Sequence, residues 1–211
     1  MATPAAGIEE SPPGTVQAAA GRPNASQSGQ PNRALTPDDL QAYVLQEGIN
    51  ARLVRDLGDT RTVPLAAAAL GVEPGQIIKS LLFLVRSPGK PGDPQPVLVI
   101  VAGDARVDYR AIARRFGVSR KKVRLAPAEV VLAITGYPAG GVPPFGHHTT
   151  VPTIVDAALL APQHGQAGPI YGGGGDESSM LETTAAELLR VVQPEVVPVS
   201  APPASPPADA E

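Results

Sequence analysis

Proline is distributed so unevenly in this chain that it limits which parts can fold. Of the 25 prolines in 211 residues, eleven fall in residues 1–33 and 193–211, where they remove backbone donors and fix φ. Neither segment holds a Leu or an aromatic residue. Segments of that kind bury too little apolar surface to offset their ordering entropy, so both are expected to be disordered Pro/Ala/Gly-rich tails. Residues 34–192 remain, enough for one domain with one hydrophobic core.

Within that core the local signals alternate irregularly between helix and strand. Thr36 with Pro37, Asp38 and Asp39 marks a helix N-terminus, followed by Leu40, Tyr43 and Val44 at helical spacing up to Gly48. A short strand is expected from Ala51 to Leu57, then a helix from Pro64 to Leu70 closed by Gly71. Ile77 to Val85 reads as a buried strand paired with Val97 to Ala102, the Pro-rich loop between them lying on the surface. Asp108 caps a helix ending at Gly117, Lys122 to Leu125 is a short strand, and Ala128 to Ile134 a helix. Short strands are expected around Thr153 to Val155 and at Ile170 and Tyr171. The sequence Thr184-Ala185-Ala186-Glu187 has the form of a capping box that opens a last helix. Such a mixture implies an α+β fold around a central mixed sheet.

Composition removes several chemistries. With no Cys in the chain, disulfides, thiolate metal sites and Cys nucleophiles are all excluded. GxSxG, GxGxxG and GxxxxGK[ST] are absent, so a serine elbow, dinucleotide binding and a phosphate loop lack support. The first basic residue is Arg22 and no long apolar run follows, which points to a cytoplasmic protein with no membrane association. The net charge of −3 averages two unlike regions. Residues 106–124 carry eight of the seventeen basic residues against Asp108 alone, whereas nine acidic residues and one basic residue lie from Glu129 onward. The basic stretch, with Arg114, Arg115, Lys121 and Lys122, is either a phosphate-binding surface for nucleic acid or a solvated face.

Three features invite a functional reading. Lys79 places a charge in Ile77-Ile78-Lys79-Ser80-Leu81-Leu82-Phe83-Leu84-Val85, which requires a partner, a cleft or an edge position from which it reaches water. Periodicity alone favours the edge. Residues 135–146 hold four glycines and three prolines, giving a rigid loop that is either a complicated turn or a place where backbone N–H groups approach a ligand. Asp156 ends an apolar strand, as a helix cap or as a site carboxylate. His147 and His148, adjacent on an extended segment and pointing opposite ways, fit no standard metal site with Asp156 or His164. Gly172 to Gly175 reads as a flexible turn.

Taken in order, Leu70-Gly71-Val72 before Gln76 to Leu81, then Val97 to Asp104, Thr135-Gly136-Tyr137 with Gly140 to Gly146, Pro152 to Asp156 and Gly172 to Gly175 resemble the YbaK/EbsC family of aminoacyl-tRNA editing domains. That family includes the editing domain inserted in bacterial prolyl-tRNA synthetases. The resemblance implies a YbaK-like, partly barrel-like sheet flanked by helices, and a trans-acting deacylase hydrolysing the ester of misacylated tRNA without cofactor or metal. It implies Lys79, Gly140 and Asp156 as catalytic residues. Ser80, Thr135, Gly136, Gly141, Val142, Pro143, Pro144 and His148 are implied around the substrate, with Arg114, Arg115, Lys121 and Lys122 on the tRNA. Misacylated tRNA is the implied partner and an aminoacyl-tRNA synthetase a candidate second one. The alternative on the same fold is a non-catalytic module binding tRNA or aminoacyl-adenosine. Some members carry His or Tyr in the strand after the first helix, where this chain has Arg52 to Leu57, so the pocket wall is expected to differ.

Overall fold

A computed structural model of the chain describes residues 33–87, 92–161 and 168–201. The expected tails over 1–32 and 202–211 lie outside these residues. In chain order the elements are α1 (Pro37–Gln46), β1 (Arg52–Val54), α2 (Val63–Leu70), β2 (Ile78–Val85), β3 (Gln95–Ala102), α3 (Tyr109–Arg115), β4 (Val123–Leu125), α4 (Ala128–Thr135), β5 (Thr153–Asp156), β6 (Pro169–Gly173), β7 (Met180–Thr184), α5 (Ala185–Val192) and β8 (Glu195–Val197). The strands form a mixed sheet ordered β4-β2-β3-β5-β8 and an antiparallel sheet ordered β1-β7-β6. This is an α+β fold.

Local chemistry accounts for most of the boundaries. Thr36 and Asp39 form a reciprocal capping box on α1, and Arg33 pairs with the same carboxylate. The Arg33 guanidinium, followed by Thr36, holds the Asp39 carboxyl down to about 2. Thr62 caps α2, and Gly71 closes it in the left-handed region at φ 67°. Thr184 caps α5 by accepting from Glu187 N–H. The expected reciprocal bond is absent, because the Glu187 carboxylate instead accepts from Asn50 N–H at 2.7 Å and pairs with Arg190.

The five-stranded sheet is buried on both faces, and strand alternation divides its side chains between them. Leu82, Leu98, Ile100 and Val155 face α1, α4, α5 and the smaller sheet, with Leu40, Tyr137, Phe145, Ile170, Leu181 and Leu188. Phe83, Val85, Val97, Val99, Val101 and Ile154 face α3, with Ile112, Val123 and Val199. Burial of this kind stabilises by about 25 cal/mol per Å² of apolar surface, which makes β3, apolar on both faces, the axis of the domain.

Two expectations are corrected. Residues 193–201 belong to the fold: β8 pairs in parallel with β5, and Val199 is fully buried. Pro194 and Pro198 bracket a three-residue edge strand, the place in a sheet where proline is tolerated, so the segment read as tail. The segment Gly172 to Gly175 is no flexible turn. It continues β6 and packs backbone to backbone against the loop at Gly141, with Gly175 N–H donating to Gly141 O at 2.9 Å. A Cβ on Gly173 would lie 2.5 Å from the Val142 carbonyl oxygen.

Gly173→Ala is therefore expected to lower stability by about 1–3 kcal/mol, or about 2–4 °C in Tm per kcal/mol for a domain of this size. Gly168→Ala, where a Cβ meets nothing within 4 Å, is the control in the same thermal melts.

Candidate functional site

The mixed sheet leaves one stretch of β2 open. On its outer side β2 pairs with β4 only over Phe83, Leu84 and Val85, and Ile77 forms a parallel bridge to Tyr171 of β6. Between them, Ile78 to Leu81 have no strand on that side among the described pairings, and a cleft of about 260 Å³ opens there. Its walls include Lys79, Ser80, Gly140, Val142, Gly173 and Met180. Arg61 and Ala66 complete the opposite side.

Lys79 thus sits in an interior strand, not at a sheet edge, but at the point where that strand loses a neighbour. By alternation it shares the face of Leu81, Phe83 and Val85. Its ammonium donates to the carbonyl oxygen of Ala105 at 2.7 Å. Partial burial pushes the Lys79 pKa down, and Asp104 works against that shift. Ser80 points to the other face, and its hydroxyl is buried with no hydrogen-bond partner.

The glycine loop arrives from α4. Gly140 has φ 98°, a conformation that a side chain disfavours, and it lies at the cleft with only the Arg61 side chain near the position of a Cβ. The Gly141 N–H is taken by Pro138 O at 3.0 Å. Pro143 and Pro144 have no N–H. Gly140 and Val142 are therefore the residues of this loop that line the cleft and whose N–H is not taken up in the bonds described.

Behind the loop, buried polar groups hold its shape. The Thr135 hydroxyl donates to Val131 O at 2.8 Å and accepts from Tyr137 N–H at 3.1 Å, while Tyr137 Oη donates to Gly146 O at 3.3 Å. His147 Nε2 donates to Pro143 O at 2.8 Å, which fixes its tautomer, and its ring packs edge-on to Tyr137. The His148 ring lies over Gly136 with Nε2 buried and unpartnered.

Of the residues expected around the substrate, Lys79, Ser80, Gly140 and Val142 meet at the cleft. Thr135, Gly136, Gly141, Pro143, Pro144 and His148 do not line it; they form the support just described. Asp156 does not line it either. That carboxylate is fully buried and accepts from Val199 and Ser200 N–H at 2.9 and 3.3 Å. It makes no capping bond to the 3₁₀ turn that follows. His164 lies outside the described residues, and among those described no group of three or more His, Asp or Glu side chains could hold a metal.

Sequence reading missed the wall formed by Thr60, Arg61, Thr62, Val63 and Ala66. Thr60 fastens it by donating from both N–H and hydroxyl to Glu177 O, at 2.7 and 2.9 Å, and Arg61 pairs with Asp59 and Glu177. The polar run Asp59-Thr60-Arg61-Thr62 directly ahead of a Pro-started helix is the signal that could have revealed it. The expected alternative wall, Arg52 to Leu57, contributes β1 to the smaller sheet instead.

The basic stretch gathers on α3, the following 3₁₀ turn and β4. Arg110, Arg114, Lys121, Lys122 and Arg124 are exposed, and Arg120 lies over the Tyr109 ring, 4.3 Å from its centre. Arg115 is half-buried and paired with Glu195 of β8, so it is the least available of the four expected tRNA contacts. Among the described residues no helix is long and apolar enough to cross a membrane.

A profile of the aminoacyl-tRNA editing domain family matches residues 58–191. The multifunctional Ser/Thr-tRNA deacylase ProXp-y of Escherichia coli K12 is 31% identical over 166 residues, covering 78% of this chain and 92% of that protein. Uncharacterized protein YwhH of Bacillus subtilis is 34% identical over 127 residues, covering 60% and 72%. A crystal structure named as that of a candidate trans-editing enzyme for prolyl tRNA synthetase superposes with a TM-score of 0.66 at 32% identity, covering 79% of this chain and 97% of its own.

The half-buried imidazole behind the loop gives a pH dependence. Burial lowers the His147 pKa from 6.5 to about 4, against the opposing effect of Pro143 O. On acidification the unfolded chain takes up this proton first, so stability present above pH 6.5 is lost as pH falls toward 4. Denaturant melts between pH 7 and pH 5 should show that loss, and His147→Gln, which has no proton to gain, should make it shallower.

Proposed function

The chain belongs to the family of aminoacyl-tRNA editing domains, and on that premise we infer that it is an aminoacyl-tRNA deacylase whose reaction site is the cleft at Lys79. One observation carries the assignment of the site: Lys79, Ser80 and the backbone of Gly140 and Val142 converge on a cleft of about 260 Å³. That volume is just below the ~300 Å³ at which pockets for drug-sized ligands begin. It suits an aminoacyl group with part of a ribose.

Ester hydrolysis at such a site requires no protein nucleophile. Water adds to the carbonyl carbon, the bond to the ribose oxygen breaks, and the proton from water passes to that oxygen, assisted by the neighbouring ribose hydroxyl or the substrate's own side chain. The developing oxyanion is stabilised by the Gly140 and Val142 N–H groups, preorganised by the bonds behind the loop; a donor of this kind contributes about 3–4 kcal/mol. Lys79 anchors a phosphate or the terminal adenosine, consistent with an ammonium held by one carbonyl at the cleft. The Ser/Thr-tRNA substrates in the name of the Escherichia coli relative support a substrate amino acid with a small polar side chain. Action in trans is supported by near-complete coverage of that relative and of the solved trans-editing candidate. The exposed face of α3 and β4 is suited to the tRNA backbone.

Incubation with a panel of mischarged tRNAs should release amino acid, and Lys79→Ala should slow release by about 10²-fold or more; unchanged turnover in that variant would remove Lys79 from the site. Replacing Arg114, Lys121 and Lys122 together by Ala should weaken tRNA binding uniformly. It should also flatten the dependence of log affinity on log salt by about 2–3 units, near 0.7–0.9 for each phosphate no longer neutralised. An unaltered slope would return the face to ordinary solvation.

A further inference from the structure

The residues that follow the editing-domain match, which ends at residue 191, close over the segment that holds Lys79. Ala105 O accepts the Lys79 ammonium at 2.7 Å. Immediately after Ala105, the chain is fastened to the C-terminal segment at three successive points. Ala201 N–H donates to Arg106 O at 2.7 Å, Val107 and Ser200 form an antiparallel bridge, and Asp108 N–H donates to Val199 O at 2.7 Å. The C-terminal segment is in turn fixed from below by Asp156, whose Oδ1 accepts from Val199 and Ser200 N–H at 2.9 and 3.3 Å. β8 adds a parallel ladder to β5, from Ile154↔Glu195 to Asp156↔Val197, and Glu195 pairs with Arg115 of α3. On its other flank the Ala105 segment is tied to β2 by Gly103 N–H donating to Ile77 O at 2.7 Å.

We propose that residues 195–201 form a clasp, anchored on Asp156, that positions Lys79 for deacylation by fixing the Ala105 carbonyl. Asp156 is then a positioning residue, and what it supplies is a hydrogen-bond acceptor, not a charge at the reacting ester. The placement of the two groups favours this reading over a direct role: Asp156 is fully buried and absent from the cleft wall, and its donors are backbone amides of the clasp. A flexible ammonium has many rotamers, and a carbonyl held within a few tenths of an ångström selects one of them. The proposal rests on the Lys79 cleft being the reaction site.

The test uses three altered forms of the protein: Asp156→Asn, which keeps the acceptor, Asp156→Leu, which removes it, and a chain ending at Pro194. Each is assayed on the mischarged tRNA that the wild type deacylates best, with kcat and KM separated. The side-chain NMR signal of the Lys79 ammonium is followed in parallel, identified among the four lysines of the sequence by Lys79→Arg. Asp156→Asn should retain kcat within about 3-fold and leave the Lys79 signal in place. Asp156→Leu and the shortened chain should lose at least 10-fold in kcat/KM, and their Lys79 signal should move to that of solvent-exposed lysines. A dead Asp156→Asn with an unmoved Lys79 signal overturns the proposal, since the carboxylate charge then acts directly. Full activity in the shortened chain overturns it equally. If Asp156→Leu and the shortened chain fail to fold, Asp156→Asn and Arg115→Gln decide. Arg115→Gln loosens β8 from α3 at a half-exposed pair that contributes little to stability, so a shifted Lys79 signal with reduced kcat supports the clasp and wild-type values in both refute it. Should the wild type deacylate nothing in the panel, the Lys79 signal still reports on the clasp, which separates failure of the clasp from failure of the assigned activity.

Discussion

A lysine placed in a strand whose other residues are nearly all apolar must be given both an opening to solvent and an acceptor, because an unpaired buried ammonium is too costly to keep. β2 meets both requirements in its connectivity. Its outer partner changes from β4 to β6 along its length, and in the gap the strand carries Lys79, with the ammonium on the Ala105 carbonyl. The rest of the domain is arranged around that gap. β3 secures β2 from the inner side, the smaller sheet brings Gly173 and Met180 across, and the glycine loop closes the remaining side.

The elements were legible where local chemistry decides them. Caps at Thr36, Asp108 and Thr184, the left-handed glycine after α2, and the apolar runs of β2 and β3 each need only a few neighbouring residues to be recognised. Elements that depend on distant partners were not legible. β7 contains Glu182, Thr183 and Thr184, polar types that are in a strand because β1 and β6 flank them. β8 is three residues between prolines, held by β5, and the residues that follow it are held by the Asp156 carboxylate.

The site followed the same division. Lys79 stands out because a charge interrupts an apolar strand, and the glycine loop because of its composition. Both do reach the cleft. Asp156 stands out for the same reason as Lys79, yet its partners are amides some forty residues later in the chain, and no spacing rule reveals such a contact. Thr60 and Arg61 lack any local peculiarity. They become part of the wall only because Thr60 is bonded to Glu177, more than a hundred residues away.

The glycine loop and the Gly173–Gly175 stretch meet through main-chain atoms alone, with no side chain between them. That side of the cleft therefore has a shape that point substitution cannot adjust finely, because any added carbon displaces a backbone. The facing side is made of Thr62, Val63 and Ala66, side chains that can grow, shrink or change polarity without moving the chain. Within one fold, then, main-chain contact fixes the shape of one half of the cleft, while the half lined by side chains is open to change by point substitution.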